Sequence, residues 1–200
     1  MEIEKDKFIY ELKETINNYS KISENSWLLF RSILNFNSIK KGETILRAGQ
    51  TAKNIHFICK GVLRTFYTDT EGNVYTKNIF FENNFAASKV SLILDNPSYF
   101  SIEALEDTFL LNFNFKAYKK LIKENEDLKD FYISYIEQNW IIEKEKKEIS
   151  LVMENGTERY VKLLNRHPKL DERISQHHIA SHLGITPTQL SRIRKSLKNT

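Results

Sequence analysis

Residues 55–76 read I-H-F-I-C-K-G-V-L-R-T-F-Y-T-D-T-E-G-N-V-Y-T, and this stretch carries the pattern that decides the fold. Two runs of β-branched and aromatic residues flank T-D-T-E-G-N, a hairpin-turn sequence in which Gly72 supplies a positive φ. Similar short runs recur between Ser38 and Phe115, namely E-T-I-L, V-Y-T-K-N-I-F-F, F-S-I-E-A-L and T-F-L-L-N-F. Many short strands at regular spacing predict a sandwich, a barrel or a β-roll.

Helical periodicity occurs on both sides of this β region, so the chain is predicted to be α+β. Between Asp6 and Leu34 the apolar spacing predicts two helices, with Ser20 or Ser23 as the cap between them. From Leu128 to Met153 the chain has no helix breaker. A stripe with alternating steps of four and three residues follows this segment: Leu128, Tyr132, Tyr135, Asn139, Ile142, Lys146, Ile149 and Met153. Such a stripe is typical of a coiled-coil seam and favours a dimer helix. The alternative is one helix buried against its own domain.

The sequence E-N-G-T at residues 154–157 predicts a boundary, because Gly156 can end the long helix and Thr157 can cap the next one. We therefore expect three regions: residues 1–127 with the N-terminal helices and the β region, residues 128–154 as the dimer helix, and residues 155–200 as a C-terminal domain.

Two short helices joined by a tight turn are predicted near the C-terminus. Ser175 can cap the first helix, and Gly184 marks the turn. The second helix has Thr186 as its cap, Pro187 at its first position and Gln189 to complete a capping box. Ala180 is small where the second helix must approach. This combination predicts a DNA-binding helix-turn-helix.

The polar residues of the second helix give the expected contacts. Its first turns enter the major groove in such motifs, which predicts four base contacts: Thr188, Gln189, Ser191 and Arg192. Arg192 suits guanine and Gln189 suits adenine. Five residues are predicted to contact phosphate: Ser175, His178, Arg194, Lys195 and Lys198.

Charge is distributed unevenly along the chain. Residues 155–200 contain nine Lys and Arg against three Asp and Glu, a net +6, whereas the rest of the chain has 21 basic and 23 acidic side chains, a net −2. A basic excess on one small module is expected for a polyanion partner. The alternative is a solvated basic surface.

From about residue 20 to residue 200 the sequence resembles the Crp/Fnr family of bacterial transcription regulators. The resemblance rests on K-K-G-E-T-I-L-R-A-G-Q, on the strand runs around T-D-T-E-G-N, on A-L-E-D at 104–107, and on R-I-S-Q-H-H-I-A-S-H-L-G-I-T-P-T-Q-L-S-R-I-R-K. It implies a double-stranded β-helix that resembles a cyclic-nucleotide-binding β-roll, a dimerisation helix and a winged helix-turn-helix. It also implies a homodimer on double-stranded DNA, with an imperfect palindrome as the site and Arg192 reading a base.

The segment that corresponds to the family's ligand cassette departs from its pattern. The glutamate that grips the ribose falls on Ser88 or Lys89, and the arginine that neutralises the cyclic phosphate falls on Ser98. Without that guanidinium the strong bidentate hydrogen bonds are lost, so cyclic AMP is not expected to bind in the usual mode. Five residues are candidates for a pocket that takes an unknown small-molecule effector: Phe85, Ser88, Lys89, Ser98 and Tyr99.

Other classes of protein are disfavoured by the sequence. Cys59 is the single cysteine, so neither a disulfide framework nor a cysteine-ligated metal site is expected within one chain, and we predict that Cys59 is buried and structural. No metal cluster, cofactor site or catalytic motif is recognised, which predicts a protein that is not an enzyme. No apolar run reaches the roughly 18 residues of a membrane span, so we expect a cytoplasmic protein with no membrane partner. The competing function is a ligand-binding or protein-interaction module with only nonspecific affinity for DNA.

Overall fold

Two N-terminal helices precede the β region. The structure, a computed structural model, describes residues 2–198 and the side chains of residues 4–198. Helix α1 spans Glu2–Tyr19 and α2 spans Glu24–Ser32. Ser23 caps α2, because its side chain accepts a hydrogen bond from Ser26 N at 3.2 Å. Apolar residues of both helices, including Leu12, Ile16 and Phe30, are fully buried and join the core of the β region.

Eight strands form two four-stranded sheets in which every pairing is antiparallel. The strands are β1 Leu34–Ile39, β2 Thr44–Leu46, β3 Asn54–Lys60, β4 Leu63–Thr68, β5 Val74–Phe80, β6 Phe85–Ala86, β7 Ser101–Ala104 and β8 Thr108–Asn114. One sheet has the order β1-β8-β3-β6 and the other the order β2-β7-β4-β5. Residues of both sheets, such as Phe57 and Ile102, share one core. All six predicted strand runs are found, but β1 begins at Leu34, where the sequence predicted helix.

The predicted hairpin turn joins β4 to β5. Gly72 has φ +87°, and the Asp69 carboxylate accepts hydrogen bonds from the backbone N–H groups of Glu71 and Asn73 at 2.9 and 2.8 Å. These bonds explain why the turn is local in sequence and readable from it. Strand β5 lies at the edge of its sheet, which leaves one side open to the C-terminal helices described below.

The long helix is continuous, but it is not α-helical throughout. After α3 (Lys89–Leu94) and α4 (Phe115–Glu124), the chain forms α5 (Glu126–Ile136), a π-helical segment (Glu137–Ile142) and α6 (Glu143–Met153). A π-helix has wider turns, so it changes the face that a regular stripe presents. The predicted seam is interrupted at this segment.

Upstream of the π-helical segment the predicted dimer stripe faces its own domain. Leu128 is fully buried in the domain core, and Tyr132 and Tyr135 pack against that core. Asn139 donates a hydrogen bond to the Tyr19 hydroxyl at 3.0 Å. The prediction that Leu128 lies on a dimer face is therefore wrong, whereas that for the half-buried Tyr132, Tyr135 and Asn139 stays a prediction. Exposed apolar residues remain at the end of the π-helical segment and in α6: Ile141, Ile142, Ile149, Leu151, Val152 and Met153.

Four helices follow the long helix: α7 (Gly156–Arg166), α8 (Leu170–Arg173), α9 (Gln176–Leu183) and α10 (Pro187–Lys198). The cap of α7 is Asn155, which forms a capping box with Glu158, and not Thr157 as the sequence predicted. Between Asn155 and Lys198 the structure has helices and no strand. The wing and the three domain boundaries therefore stay predictions.

The C-terminal helices pack directly on the β region. Val62, Phe81 and Leu105 of the β region share a second core with residues of α7 to α10. The C-terminal members of this core are Tyr160, Leu170, Ile174, Ile179, Ala180, Leu183 and Leu190. Helix α9 runs beside edge strand β5, where Thr76 N donates a hydrogen bond to Ser181 Oγ at 2.8 Å. Within residues 2–198 no helix is long and apolar enough to cross a membrane.

Candidate functional sites

Helices α9 and α10 form a hairpin that is fixed by local hydrogen bonds. Gly184 ends α9 with φ +68°, a conformation that favours glycine. At the start of α10 the Thr186 hydroxyl accepts from Gln189 N at 3.1 Å, and Gln189 Oε1 accepts from Thr186 N at 2.8 Å. The predicted capping box is present. From α7, Arg159 Nη2 donates to Leu183 O at 3.0 Å and holds the end of α9.

One face of α10 is buried and the other is exposed. Leu190 is fully buried between the helices of the hairpin. Thr188, Gln189, Ser191 and Arg192, the four predicted base contacts, are all exposed. Gln189 is also part of the cap, so its carbonyl oxygen is engaged and its amide nitrogen is left to donate. The polar face of α10 is thus presented away from the core.

The residues predicted to contact phosphate are divided by the structure. Ser175, Lys195 and Lys198 are exposed. Arg194 is half-buried and lies 3.3 Å from Asp171, which also accepts a hydrogen bond from Tyr160 OH at 2.6 Å. Because its charge is paired within the C-terminal helices, Arg194 has a structural role there, and we withdraw it as a phosphate contact.

His178 does not face outward either. Its Nδ1 lies 2.9 Å from Arg64 Nη1 of strand β4. A guanidinium can only donate, so the imidazole must be neutral and accept. Burial and, next, the Arg64 charge lower the pKa of His178 to about 4. The predicted phosphate contact at His178 is wrong, because α9 turns this side chain toward the β region.

His182, one turn further along α9, is held against β5. Burial and, next, the Lys147 charge lower its pKa to about 3, although the carbonyl groups of Lys77 and Thr76 oppose the shift. Its Nδ1 is buried and makes no hydrogen bond to any residue that the structure describes. His182 is therefore neutral near pH 7 and belongs to the contact between the two parts of the chain.

Ion pairs across the same contact were not predicted from the sequence. Arg173 lies 2.6 Å from Glu82 and 2.5 Å from Glu106 across the contact, and within the β region Arg64, the partner of His178, lies 2.9 Å from Glu103. Burial opposes ionisation of Glu82, but hydrogen bonds from Arg173 and from Gly61 N keep its pKa below the usual range. These partners are 39 to 91 residues apart along the chain, so no local pattern reveals them.

In the candidate ligand pocket the positions of Ser88 and Ser98 are closed. Ser88 and Ser98 are both buried, and their hydroxyl oxygens are 2.7 Å apart. Ser98 Oγ also lies 2.7 Å from Phe100 O and accepts from Phe100 N at 3.1 Å. Ser98 corresponds to the family's arginine, and Ser88, like Lys89, is a candidate for the position of its glutamate; the two small hydroxyls satisfy each other.

The other predicted pocket residues are separated. Phe85 is buried in the core, with ring centroids 5.1 Å from Phe57 and 5.2 Å from Tyr135. Tyr99 is 74% exposed. Phe85 is part of the packed core, so the prediction that it lines a pocket is wrong, whereas the prediction for Tyr99 stays a prediction. Lys89 is half-buried, and its ammonium lies 4.4 Å from the centre of the Trp140 ring on the long helix.

The single cysteine and the histidine of β3 behave as ordinary interior residues. Cys59 is buried, as predicted, and burial raises the pKa of its thiol to about 12. His56 is buried as well, and its Nδ1 lies 2.7 Å from the Asn112 side-chain oxygen. Among the described residues, no three His, Cys, Asp or Glu side chains are grouped to hold a metal ion.

One family of known protein domains matches the β region. Residues 36–125 match the family model described as cyclic nucleotide-binding domain. The match runs from β1 to the end of α4, so it includes both sheets and the Ser88–Ser98 pair. No curated protein sequence matches the chain.

Solved structures show the same arrangement over nearly the whole chain. FixK2 from Bradyrhizobium japonicum is similar with a TM-score of 0.70 at 16% identity, over 84% of this chain and 85% of that one. CLP from Xanthomonas campestris, described as a c-di-GMP-responsive global regulator, has a TM-score of 0.67 at 13% identity, over 88% and 92%. The Thermus thermophilus catabolite activator protein has a TM-score of 0.54 at 19% identity, over 89% and 84%. At these identities the likeness is one of fold.

A two-sheet domain, a long helix and a C-terminal helical hairpin in one chain make up the fold that this chain shares with these solved structures. Residues 36–125 match the cyclic nucleotide-binding domain model, and at the level of the fold the resemblance to the Crp/Fnr regulators is confirmed.

Proposed function

We propose that the protein is a homodimeric, sequence-specific DNA-binding transcription regulator of the cytoplasm. In this proposal α9 and α10 form its DNA-binding helix-turn-helix, and the β region is a sensor domain that no longer grips cyclic AMP in the usual mode. The fold shared with known regulators supports this function. The observation that carries it is the exposed row of Thr188, Ser191 and Arg192 on the first turns of α10.

The chemistry of this face suits DNA. The first turns of a recognition helix contact base edges in the major groove, and arginine binds guanine O6 and N7 bidentately. Lys195 and Lys198 are exposed near the end of α10 and can contact phosphate oxygens, which gives affinity without sequence preference. The hydrogen-bonded Thr186–Gln189 cap fixes the start of the helix that carries these groups.

Dimerisation is supported by exposed apolar residues in the C-terminal half of the long helix. Val152 is 83% exposed and Met153 is 77% exposed, and Ile141 and Ile149 are each more than half exposed. A partner chain would cover this apolar surface. Two recognition helices related by a two-fold axis would read half-sites about 34 Å apart, so the expected operator is an imperfect palindrome.

Selection of bound fragments from random double-stranded DNA tests this proposal. We expect enrichment of a palindrome whose half-sites are one helical turn apart. Arg192→Ala should reduce discrimination between the selected site and random DNA by about 5- to 150-fold, the equivalent of about 1–3 kcal/mol. Competition binding at fixed salt concentration measures this ratio.

Two matched variants separate base reading from general attraction. Lys195→Gln should weaken binding to all sequences alike and reduce the salt slope by about one, because it removes one phosphate contact. Arg47→Ala, an exposed arginine of the β region, should change nothing. If Arg192→Ala keeps full discrimination, or if no sequence is enriched, the chain is instead a ligand-binding module with only nonspecific affinity for DNA.

A further inference from the structure

Three lysine side chains meet where strand β5, helix α3 and the long helix come together. Lys77 Nζ lies 4.0 Å from the centre of the Phe100 ring, and Lys89 Nζ lies 4.4 Å from the centre of the Trp140 ring. Lys147 Nζ donates to Lys77 O at 2.6 Å and to Asn78 Oδ1 at 3.1 Å. Lys89 and Lys147 are half-buried, and Lys77 is exposed at the edge of this lysine cluster.

The cluster lacks a counter-charge. Other lysines of the chain pair with carboxylates, for example Lys13 with Glu24, Lys40 with Asp107 and Lys116 with Asp95. Among the described residues, Lys77, Lys89 and Lys147 form no ion pair, and each ammonium contacts an aromatic ring or a neutral oxygen instead. Three half-shielded positive charges in one place are unfavourable on their own.

The pKa values of Lys89 and Lys147 are lowered at this site. Burial lowers the pKa of Lys89 to about 7 and that of Lys147 to about 8, and the Lys77 charge adds to both shifts. The contacts place the three side chains in one region, because Lys147 bonds to the backbone of Lys77 and Lys89 lies over Trp140, seven residues before Lys147 on the long helix. A negative ion among them would remove the repulsion and restore the protonated state.

We propose that Lys77, Lys89 and Lys147 form a binding site for a small phosphate-bearing anion. Lysine suits this task because it is a mobile point charge that binds phosphate oxygens, with no need for the fixed fork of arginine. The site lies beside the Ser88–Ser98 pair, where no guanidinium is present to hold a cyclic phosphate. We therefore expect a ligand with two or more negative charges to bind better than a cyclic monophosphate.

The same cluster touches the contact between the sensor domain and helix α9. Lys147 bonds to the backbone of β5 at Lys77, and the adjacent Thr76 N donates to Ser181 Oγ of α9. The Lys147 charge also acts on His182. An anion that draws Lys147 away from β5 changes this contact, which makes the anion an effector. That consequence rests on the proposed function, whereas binding of the anion does not.

Titration of the full-length protein with inorganic pyrophosphate tests the site. The chain has two tryptophans, so Trp27→Phe leaves Trp140 as the only indole and its fluorescence reports on the cluster. In this background we expect a saturable change in Trp140 emission and, by calorimetry, one pyrophosphate per chain. Lys77→Gln, Lys89→Gln and Lys147→Gln should each weaken binding at least tenfold.

Lys120→Gln is the matched control, because Lys120 is an exposed lysine on α4 outside the cluster. It should bind pyrophosphate as the unchanged protein does. Chloride at equal ionic strength should give no saturable signal, and cyclic AMP should bind more weakly than pyrophosphate. Lys77→Gln and Lys89→Gln should also melt no lower than the parent, since each loses an unpaired charge.

Three results overturn the site: a signal that does not saturate, equal weakening by Lys120→Gln, or tighter binding of cyclic AMP than of pyrophosphate. DNA binding is measured separately. If pyrophosphate binds as expected and no DNA sequence is selected, the site holds and the proposed regulator function fails. If DNA is selected and pyrophosphate does not bind, the function holds and the site fails.

Discussion

Helix α10 and the Ser88–Ser98 pair are two polar regions in one chain, and their surroundings are opposite. The side chains of Thr188, Ser191 and Arg192 are exposed on a helix that is held from behind by Leu190. The hydroxyls of Ser88 and Ser98 are buried and bond to each other at 2.7 Å. A surface that is kept for a partner leaves its hydrogen-bonding groups open, whereas a closed site satisfies them internally.

The two regions therefore indicate different things about binding. At α10 the exposed groups indicate what the protein can bind. At the serine pair the hydrogen-bonding groups are used within the protein. Helix α9 packs on strand β5, so the C-terminal helices and the β region are in direct contact.

Removing the support of α10 should have the largest effect. Leu190 is fully buried in the core shared by the C-terminal helices, so Leu190→Ala leaves a cavity and should lower the free energy of unfolding by about 2–5 kcal/mol. Urea unfolding followed by circular dichroism measures the change. Leu197→Ala on the same helix is the control, because Leu197 is 40% exposed and should cost little. Equal losses of stability in both variants would mean that Leu190 does not support the exposed face of α10.

Local patterns explain most of what the sequence predicted correctly. The Asp69–Asn73 turn and the Thr186–Gln189 cap each depend on residues within four positions, so their sequences contain the whole interaction. Strand β6 has only two residues, Phe85 and Ala86, which is too short for a period-two pattern. The π-helical segment was missed because helical periodicity alone does not show where an extra residue widens a turn.

Long-range contacts explain the wrong site predictions. His178 suits a phosphate contact until α9 packs on β5 and turns it toward Arg64, which is 114 residues away. Arg194 likewise suits DNA until Asp171 is placed 3.3 Å from it. The serine in place of the family's arginine at position 98 is visible in the sequence, so the expectation that cyclic AMP is not held in the usual mode needs no long-range contact and stays a prediction. The lysine cluster was not predictable, because only the fold brings Lys147 to Lys77.

Acid should weaken the contact that joins the two regions. The folded pKa of His182, about 3, lies below the unfolded value of about 6.5, so protons favour the unfolded state as the pH falls below about 6.5. Between pH 7 and pH 5 His182 alone should remove about 2 kcal/mol of stability. Urea unfolding at the two pH values measures the loss, and His182→Gln should lose less by that amount.

His177→Gln is the control for the loss of an imidazole from the same helix, because His177 is exposed. His178 faces Arg64, and burial also lowers its pKa, so part of the acid loss should remain in His182→Gln. A stability that is equally steep with pH in His182→Gln and in the parent would place His182 outside the contact.

The smallest expected effect comes from the buried Ser88–Ser98 pair. Ser98→Ala removes the partner of Ser88 and leaves the Phe100 N–H without its acceptor, which should cost about 1 kcal/mol. Ser88→Ala should cost a similar amount if the two hydroxyls depend on each other. The double variant should then lose less than the two single losses added, because neither hydroxyl is left buried without its partner.

The size of this coupling in the double-mutant cycle decides whether the region is a site that has closed or an ordinary polar interior. A coupling of about 0.5 kcal/mol or more means that the two serines bond as a unit and that neither hydroxyl is left for a ligand. Strict additivity means that each hydroxyl is satisfied independently, for instance through the Phe100 backbone. In that case Ser88 remains available to a ligand, and the difference between the open helix and the closed pocket disappears.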